Sequence, residues 1–147
     1  MSDYDPNHVF EPVYFLLGVK IVLINHQKAV LLLRRSEKVS RAGGWDLPGG
    51  GVDKGEDPKD AASRELHEEV DITSHSFVPV DTFHSMEEEG ELVTIGFAGI
   101  IPDNAVVTLS WEHDMYEWVT QEELDDFDMP ELYRHLIEKS LNLVKTA

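Results

Sequence analysis

The chain lacks cysteine throughout its 147 residues, which excludes disulfide bonds, thiolate metal sites and cysteine nucleophiles. Oxygen atoms and histidine remain as metal ligands, and oxygen ligands favour magnesium, manganese or calcium. No apolar run approaches the roughly 18 unbroken residues that a membrane-spanning helix needs. Residues 1–6 have neither the basic region nor the apolar core of a secretory signal. We therefore expect a cytoplasmic protein that does not engage a membrane.

Basic residues are scarce, with 12 lysines and arginines against 29 acids and a formal net charge of −17. This charge repels a polyphosphate backbone and makes a nucleic-acid partner unlikely, whereas a small nucleotide needs only local neutralisation. No repeat, low-complexity tract or linker interrupts the chain, and 41% of its residues are apolar. We expect residues 1–147 to form one domain, with which a homodimer is compatible.

Hydrophobic periodicity and turn residues predict five strands and two helices. The predicted strands are 13–24, 29–33, 77–84, 92–101 and 116–119; the helices are 58–70 and 130–144, with a helical turn at 121–126 between them. Residues 87–91 read as an acidic hairpin tip. The expected inward positions of the last helix are Leu132, Leu136, Leu141 and Val144. Six aromatics are expected mostly in the core, with stacking of one or two of them on a base as the alternative: Tyr14, Phe83, Phe97, Trp111, Tyr116 and Trp118.

The first predicted helix carries an unusual group of acids. Glu65, Glu68 and Glu69 fall within roughly a third of the helix circumference, beside an apolar stripe rather than opposite it. Most glutamate-rich helices are merely solvated on that face. Here Gly50 and Glu56 precede the group at fixed spacing, and such a concentration of like charge at the edge of a core favours a divalent cation site.

The segment from residue 50 to residue 72 resembles the Nudix box, G-x5-E-x7-R-E-U-x-E-E-x-G-U, in which U is a bulky aliphatic residue. The matching residues are Gly50, Glu56, Arg64, Glu65, Leu66, Glu68, Glu69 and Ile72. The departure is Asp71, where the family has glycine, and aspartate tolerates the left-handed conformation expected there. We expect this departure to cost about 1 kcal/mol or less. The chain is therefore similar to MutT-like Nudix hydrolases.

The resemblance implies an α/β/α sandwich with a mixed central β-sheet. It also implies catalytic metal ligands at Glu65, Glu68 and Glu69, assisted by a carbonyl of the glycine loop, that of Gly49 or Gly50, and a cofactor of Mg²⁺ or Mn²⁺. Arg64 is expected to orient these acids through a paired contact with Glu56. An ordinary surface pair between Arg64 and Glu68 is an alternative that the spacing leaves open.

Residues outside the box carry weaker expectations. Glu112 lies in a predicted loop and is the candidate general base, although an exposed loop acid is as compatible with the pattern. The neighbouring His113 is expected to be solvated, with a proton relay or a contact to phosphate as the alternative. Arg34 and Arg35 follow a strand that leads into the glycine loop, so they are expected to bind substrate phosphate together with Gly49 and Gly50. A plain surface role for the two arginines is equally open.

The function implied by the resemblance is metal-dependent hydrolysis of the pyrophosphate linkage in a nucleoside diphosphate joined to another moiety. The short chain has no added recognition segment, which mildly favours nucleoside triphosphates, including oxidised ones, as substrates. ADP-ribose and nucleotide sugars are the alternative substrates. A non-catalytic module that binds a nucleotide as a sensor is the alternative from another class, but such a module would be expected to lose the metal acids that this chain keeps.

Overall fold

The computed structural model describes residues 4–146, so residues 1–3 and 147 of the expected single domain lie outside the described residues. The described part of the chain contains a seven-stranded sheet, two α-helices and a 3-10 turn at Gln121–Asp126. In chain order, the elements are β1 Leu16–Ile24, β2 Val30–Arg35, β3 Trp45–Asp46, β4 Gly49–Gly51, α1 Pro58–Val70, β5 Val78–Glu87, β6 Gly90–Ile100, β7 His113–Val119 and α2 Glu131–Thr146.

The sheet is mixed and has a helix on each face. Its order is β3-β2-β1-β6-β5, with β4 paired to β1 and β7 paired to β2; β1 and β6 are parallel, and the other pairs are antiparallel. Side chains of β1 alternate between the faces: Ile21 and Leu23 pack in the core under α1, and Val22 and Ile24 pack in the core under α2. The predicted α/β/α sandwich is confirmed.

Helix α1 begins and ends where the sequence predicts. The Asp57 side chain accepts a hydrogen bond from the N–H of Lys59 and caps the first turn. The helix ends at Val70, and Asp71 follows with φ 56° and ψ 35°, the left-handed conformation expected of the residue that replaces the family's glycine. The predicted helical turn at 121–126 is also confirmed.

Several expectations about local structure are wrong. The short strands β3 and β4 were not predicted, because their extended form depends on pairing with β2 and β1 rather than on local propensity. Tyr14 is exposed because β1 begins only at Leu16. Trp111 is exposed in the turn before β7, and Tyr116 is also exposed.

Within α2, Leu132 is exposed, because the apolar stripe runs one position later through Tyr133, Leu136, Ile137 and Leu141. The expected core positions of Phe97, Leu136 and Leu141 are confirmed. Among residues 4–146, no helix combines the length and the apolar character required to span a bilayer.

Candidate active site

Helix α1 presents its acids at three depths. Glu69 lies next to the apolar stripe of Leu66 and Val70 and is only 4% exposed, Glu65 is partly buried, and Glu68 is exposed. One carboxylate oxygen of Glu69 accepts a hydrogen bond of 2.8 Å from the backbone N–H of Gly49. The helix therefore contacts the glycine loop through its most buried acid.

The glycine loop lies too close to its neighbours for any side chain. Gly49 has φ 151°, and a Cβ atom there would overlap the carbonyl oxygen of Val19. At Gly50, a Cβ atom would overlap the carboxylate of Glu65. The two glycines therefore allow the loop backbone to lie directly against β1 on one side and the acids of α1 on the other.

Arg64, a residue of α1, links the helix to the loop that precedes it. Its Nε and Nη2 donate to the two carboxylate oxygens of Glu56 at 2.8 and 3.0 Å, and Nη2 also donates to the carbonyl oxygen of Gly51 at 2.9 Å. Its Nη1 donates to Glu65 at 3.1 Å and to Glu68 at 3.3 Å. These hydrogen bonds from Arg64, with one from the N–H of Asp53, lower the pKa of Glu56 to about 2. The contact with Glu56 is the one that the resemblance implies, and the surface pair with Glu68 coexists with it.

Burial changes the ionisation of the two inner acids. Desolvation raises the pKa of Glu69 to about 8 and also raises the pKa of Glu65. Among the described residues, the acids are not gathered around one point as a ready ligand cluster: Glu65 and Glu68 face Arg64, and Glu69 faces Gly49. Rotation of these side chains is therefore needed to bring their oxygens onto one cation.

A chain of buried charges beneath the site was missed by the sequence analysis. Lys20 donates to the Asp46 carboxylate at 2.8 Å and to the Leu47 carbonyl at 3.1 Å, and Arg35 donates to the other oxygen of Asp46 at 2.8 Å. Burial alone would raise the pKa of Asp46, but the two cations lower it. The available signal was Lys20 itself, a lysine that interrupts an otherwise apolar strand.

The two arginines expected to bind phosphate are paired with acids of the protein. Arg35 is held by Asp46, and Nε of Arg34 donates to Asp114 at 2.7 Å on the surface. Their contact with substrate stays a prediction.

The turn at residues 110–113 lies beside the acids of α1. The N–H of Ser110 donates to the carbonyl of Glu69 at 3.0 Å, and the carbonyl of Glu112 accepts a hydrogen bond of 2.9 Å from the N–H of Ser36. After burial and the nearer charges, the charge of Glu112 also contributes to the raised pKa values of Glu65 and Glu69. The turn thus places Glu112 within electrostatic reach of the expected metal ligands.

His113 is not solvated as expected. It is 5% exposed, because it begins β7 in a bulged pairing with Arg35 and turns its ring into the protein. Burial is the main cause that lowers its pKa.

Comparisons with known proteins agree with this geometry. A family model described as the NUDIX domain matches residues 15–139. The solved structure of the MutT protein from Methanosarcina mazei Go1 has a TM-score of 0.78 and 32% sequence identity, covering 90% of this chain and 96% of that chain. A C. elegans Ap4A hydrolase binary complex, with a TM-score of 0.77 and 22% identity over 90% of this chain and 99% of that one, shares the fold.

Curated relatives match over a shorter stretch. The RNA pyrophosphohydrolase of Bartonella quintana (strain Toulouse) is 46% identical over 61 residues, which cover 38% of this chain and 35% of that protein. The chain spans about a third of the length of the first curated relatives that it matches. The family model nevertheless covers most of the chain, and together with the MutT structure it shows that this chain belongs to the Nudix family.

Proposed function

We propose that this protein hydrolyses the pyrophosphate linkage of a nucleoside diphosphate joined to another moiety, with Mg²⁺ or Mn²⁺ as cofactor. The observation that carries the proposal is Glu69, a carboxylate 4% exposed that lies between the glycine loop and α1. Burial raises the pKa of Glu69 to about 8 although the charge of Lys20 acts in the opposite direction, so this carboxyl is costly to ionise in the absence of a further cation. A buried carboxyl with so strongly raised a pKa is typical of a functional site.

The residues fit a hard divalent cation. Glu65, Glu68 and Glu69 supply only oxygen atoms, which Mg²⁺ and Mn²⁺ prefer. The backbone of Gly50 lies directly against the Glu65 carboxylate, so the glycine loop borders this acid. We propose these three acids and the carbonyl of Gly49 or Gly50 as the ligands. When bound, the metal neutralises phosphate charge, polarises a phosphoryl oxygen and lowers the pKa of water.

The other residues orient the site and move a proton. Arg64 fixes Glu56 against α1 through its paired hydrogen bonds, whereas Glu65 and Glu68 would have to rotate away from its Nη1 to reach the cation. Glu112 is the proposed general base, which takes a proton from the attacking water as that water adds to phosphorus and the phosphate leaving group departs. Gly49, Gly50, Arg34 and Arg35 are proposed to contact the substrate phosphates; the two arginines would have to leave their present acidic partners to do so.

We propose a nucleoside triphosphate, including oxidised forms, as the preferred substrate. A nucleoside triphosphate contains this linkage, and as a small anion it needs only local neutralisation in a chain of net charge −17. ADP-ribose and nucleotide sugars share the same linkage and are the second choice. The matched relative is named an RNA pyrophosphohydrolase, which adds RNA to the compounds worth testing, although the net charge of −17 disfavours it.

A substrate panel tests the proposal. Purified protein is incubated with Mg²⁺ or Mn²⁺ and with nucleoside triphosphates, 8-oxo-dGTP, ADP-ribose, a nucleotide sugar, a dinucleoside polyphosphate and triphosphorylated RNA, and the products are resolved by chromatography. We expect a nucleoside triphosphate to give the highest kcat/KM and chelation of the metal to abolish turnover. Glu112→Gln should lose activity, and Glu88→Gln at the exposed hairpin tip is its matched control. No turnover of any compound would instead support the sensor alternative.

A further inference from the structure

The turn at residues 110–113 contains three buried polar atoms that the protein leaves without partners. Within the described residues, Oγ of Ser110 and both ring nitrogens of His113 have no hydrogen-bond partner. Every other buried side-chain nitrogen or oxygen atom in the described part of the chain has a hydrogen-bond partner. The unsatisfied groups are therefore confined to one turn, and the same turn carries Glu112.

The backbone of this turn is well anchored on both sides. Ser110 is bound to the carbonyl of Glu69 through its N–H, at 3.0 Å. Ser36 binds the carbonyl of Trp111 through its hydroxyl at 2.9 Å and the carbonyl of Glu112 through its N–H at 2.9 Å. A turn fixed in this way cannot easily turn its unpartnered side chains out to bulk water.

Glu112 and His113 differ in their surroundings. The ring of His113 is buried close to the charges of Asp46, Lys20 and Arg35, whereas the carboxylate of Glu112 acts on the acids of α1. Glu112 immediately precedes β7 and His113 is the first residue of that strand, so the backbone that carries Glu112 continues directly into the residue whose ring is buried.

A buried polar group without a partner costs about 1–3 kcal/mol, and buried groups in folded proteins are almost always satisfied by protein or by ordered water. A buried water typically makes about three hydrogen bonds to groups that the protein leaves unsatisfied. A hydroxyl and an imidazole in one turn offer both donors and acceptors to such a water.

We propose that His113 is a positioning residue, which together with Ser110 binds an ordered water beneath the turn and so holds Glu112 toward Glu65 and Glu69. The inference rests on the proposed hydrolysis, in which Glu112 is the general base. His113 itself contacts neither substrate nor metal.

A double-mutant cycle measures whether His113 acts through Glu112. His113→Leu should lower kcat on the order of tenfold with KM unchanged, since misplacement of a base slows the chemical step without weakening binding. His113→Gln, which keeps a donor and an acceptor, should recover most of the loss. In the Glu112→Gln background, His113→Leu should have no further effect on kcat. An equal loss of kcat in both backgrounds, or no loss in either, overturns the positioning role.

Thermal unfolding tests the water site without any assay of activity. If one ring nitrogen of His113 shares a water with the hydroxyl of Ser110, His113→Leu and Ser110→Ala lower the melting temperature. If these atoms are truly unsatisfied, apolar replacement leaves it unchanged or raises it, and the inference fails. Val119→Ala, which opens a cavity at the far end of β7, is the control for destabilisation alone and should leave kcat unchanged. Absence of turnover in the unmodified protein would overturn the proposed hydrolysis and the positioning role, while the unfolding data would still decide the water site.

Discussion

Helices α1 and α2 pack on opposite faces of one sheet, and they bury polar side chains in different ways. In α2, the hydroxyl of Ser140 is fully buried but donates to the carbonyl of Leu136 in its own helix at 2.7 Å. In α1, Glu69 is almost as buried, and its hydrogen bond comes from a glycine loop that is distant in sequence. The polar group of α2 is satisfied locally, whereas that of α1 depends on the loop and remains costly to ionise.

The two faces of the sheet therefore serve different purposes: the residues under α2 mainly stabilise the fold, and Glu69 on α1 is placed for the proposed chemistry. The α2 face is an apolar core whose members can be exchanged for others of similar volume. The α1 face holds Glu69. The ionic contacts of Lys20, Asp46 and Arg35 are not confined to that face, because the Lys20 ammonium lies 5.2 Å from the ring centre of Tyr133 in α2. Substitutions on the two faces should therefore differ in whether they change activity or stability.

The largest expected effect is that of Glu69→Gln. Loss of one metal ligand should lower kcat by roughly a thousandfold, about 4 kcal/mol. The glutamine side chain keeps an acceptor for the N–H of Gly49 and is neutral, as the Glu69 carboxyl with its pKa of about 8 mostly is at pH 7 without a cation, so the melting temperature of the metal-free protein should not fall. Steady-state kinetics measure kcat, and calorimetry measures the melting temperature. Unchanged turnover would remove Glu69 from the ligand set. A large loss of stability would show that Glu69, like the apolar residues under α2, mainly stabilises the fold.

On the other face, Leu136→Ala should destabilise the protein by about 3 kcal/mol and leave kcat and KM unchanged. Leu136 is 1% exposed and packs so closely over Gly96 that a Cβ atom at Gly96 would overlap it. Leu132→Ala on the exposed side of the same helix is the matched control and should change stability by less than about 0.5 kcal/mol. Denaturant unfolding gives both values. A specific fall in kcat for Leu136→Ala would show that the α2 face contributes to the site.

Asp46→Asn tests the ionic contacts of Asp46 with Lys20 and Arg35 and should cost about 2 kcal/mol at neutral pH, because both cations lose a charged partner. The pKa of Asp46 is lowered in the folded state, so its carboxylate stabilises the fold at pH values above its unfolded pKa, about 4, and this stabilisation is lost as the pH falls through the folded value. Unfolding of both proteins measured between pH 7 and pH 2 should therefore converge in acid. A difference that stays constant down to pH 2 would assign the effect to packing instead.

Arg64→Lys should lower kcat by roughly tenfold, about 1.4 kcal/mol, because an ammonium cannot reproduce the paired contact with Glu56 and the bonds to Glu65 and Glu68. Lysine keeps the positive charge of Arg64, so any change in kcat reports the geometry of the hydrogen bonds rather than the charge. Arg134→Lys at the start of α2, where Arg134 pairs with Asp125 on the surface, is the corresponding substitution on the other face and should leave kcat unchanged.

Sequence patterns predicted the α1 side of the molecule better than its surroundings. The cap at Asp57, the extent of α1 and the left-handed Asp71 follow from rules that depend on neighbouring residues only. The contact of Arg64 with Glu56 follows from a family spacing. The catalytic roles of these residues stay predictions.

What the sequence did not predict depends on pairing between distant segments. The ionic contacts of Asp46 with Lys20 exist because β3 and β4 add to the sheet through partners remote in sequence. The burial of His113 depends on a bulged pairing of β7 with β2. No local pattern distinguishes such a histidine from a solvated one.

The smallest expected effect is at Asp71, the residue that ends α1. Asp71→Gly should change the free energy of unfolding by less than about 1 kcal/mol, because relief of the left-handed conformation is offset by the greater freedom of glycine in the unfolded chain. Asp71→Ala should cost about 1 kcal/mol, since alanine tolerates that conformation less well. Both variants should keep kcat, because Asp71 follows the acids and contacts His67 rather than any of them. A fall in kcat for Asp71→Gly at constant stability would show that the conformation at the end of α1 sets the position of Glu69. Residues of α1 that contact no substrate would then also affect catalysis.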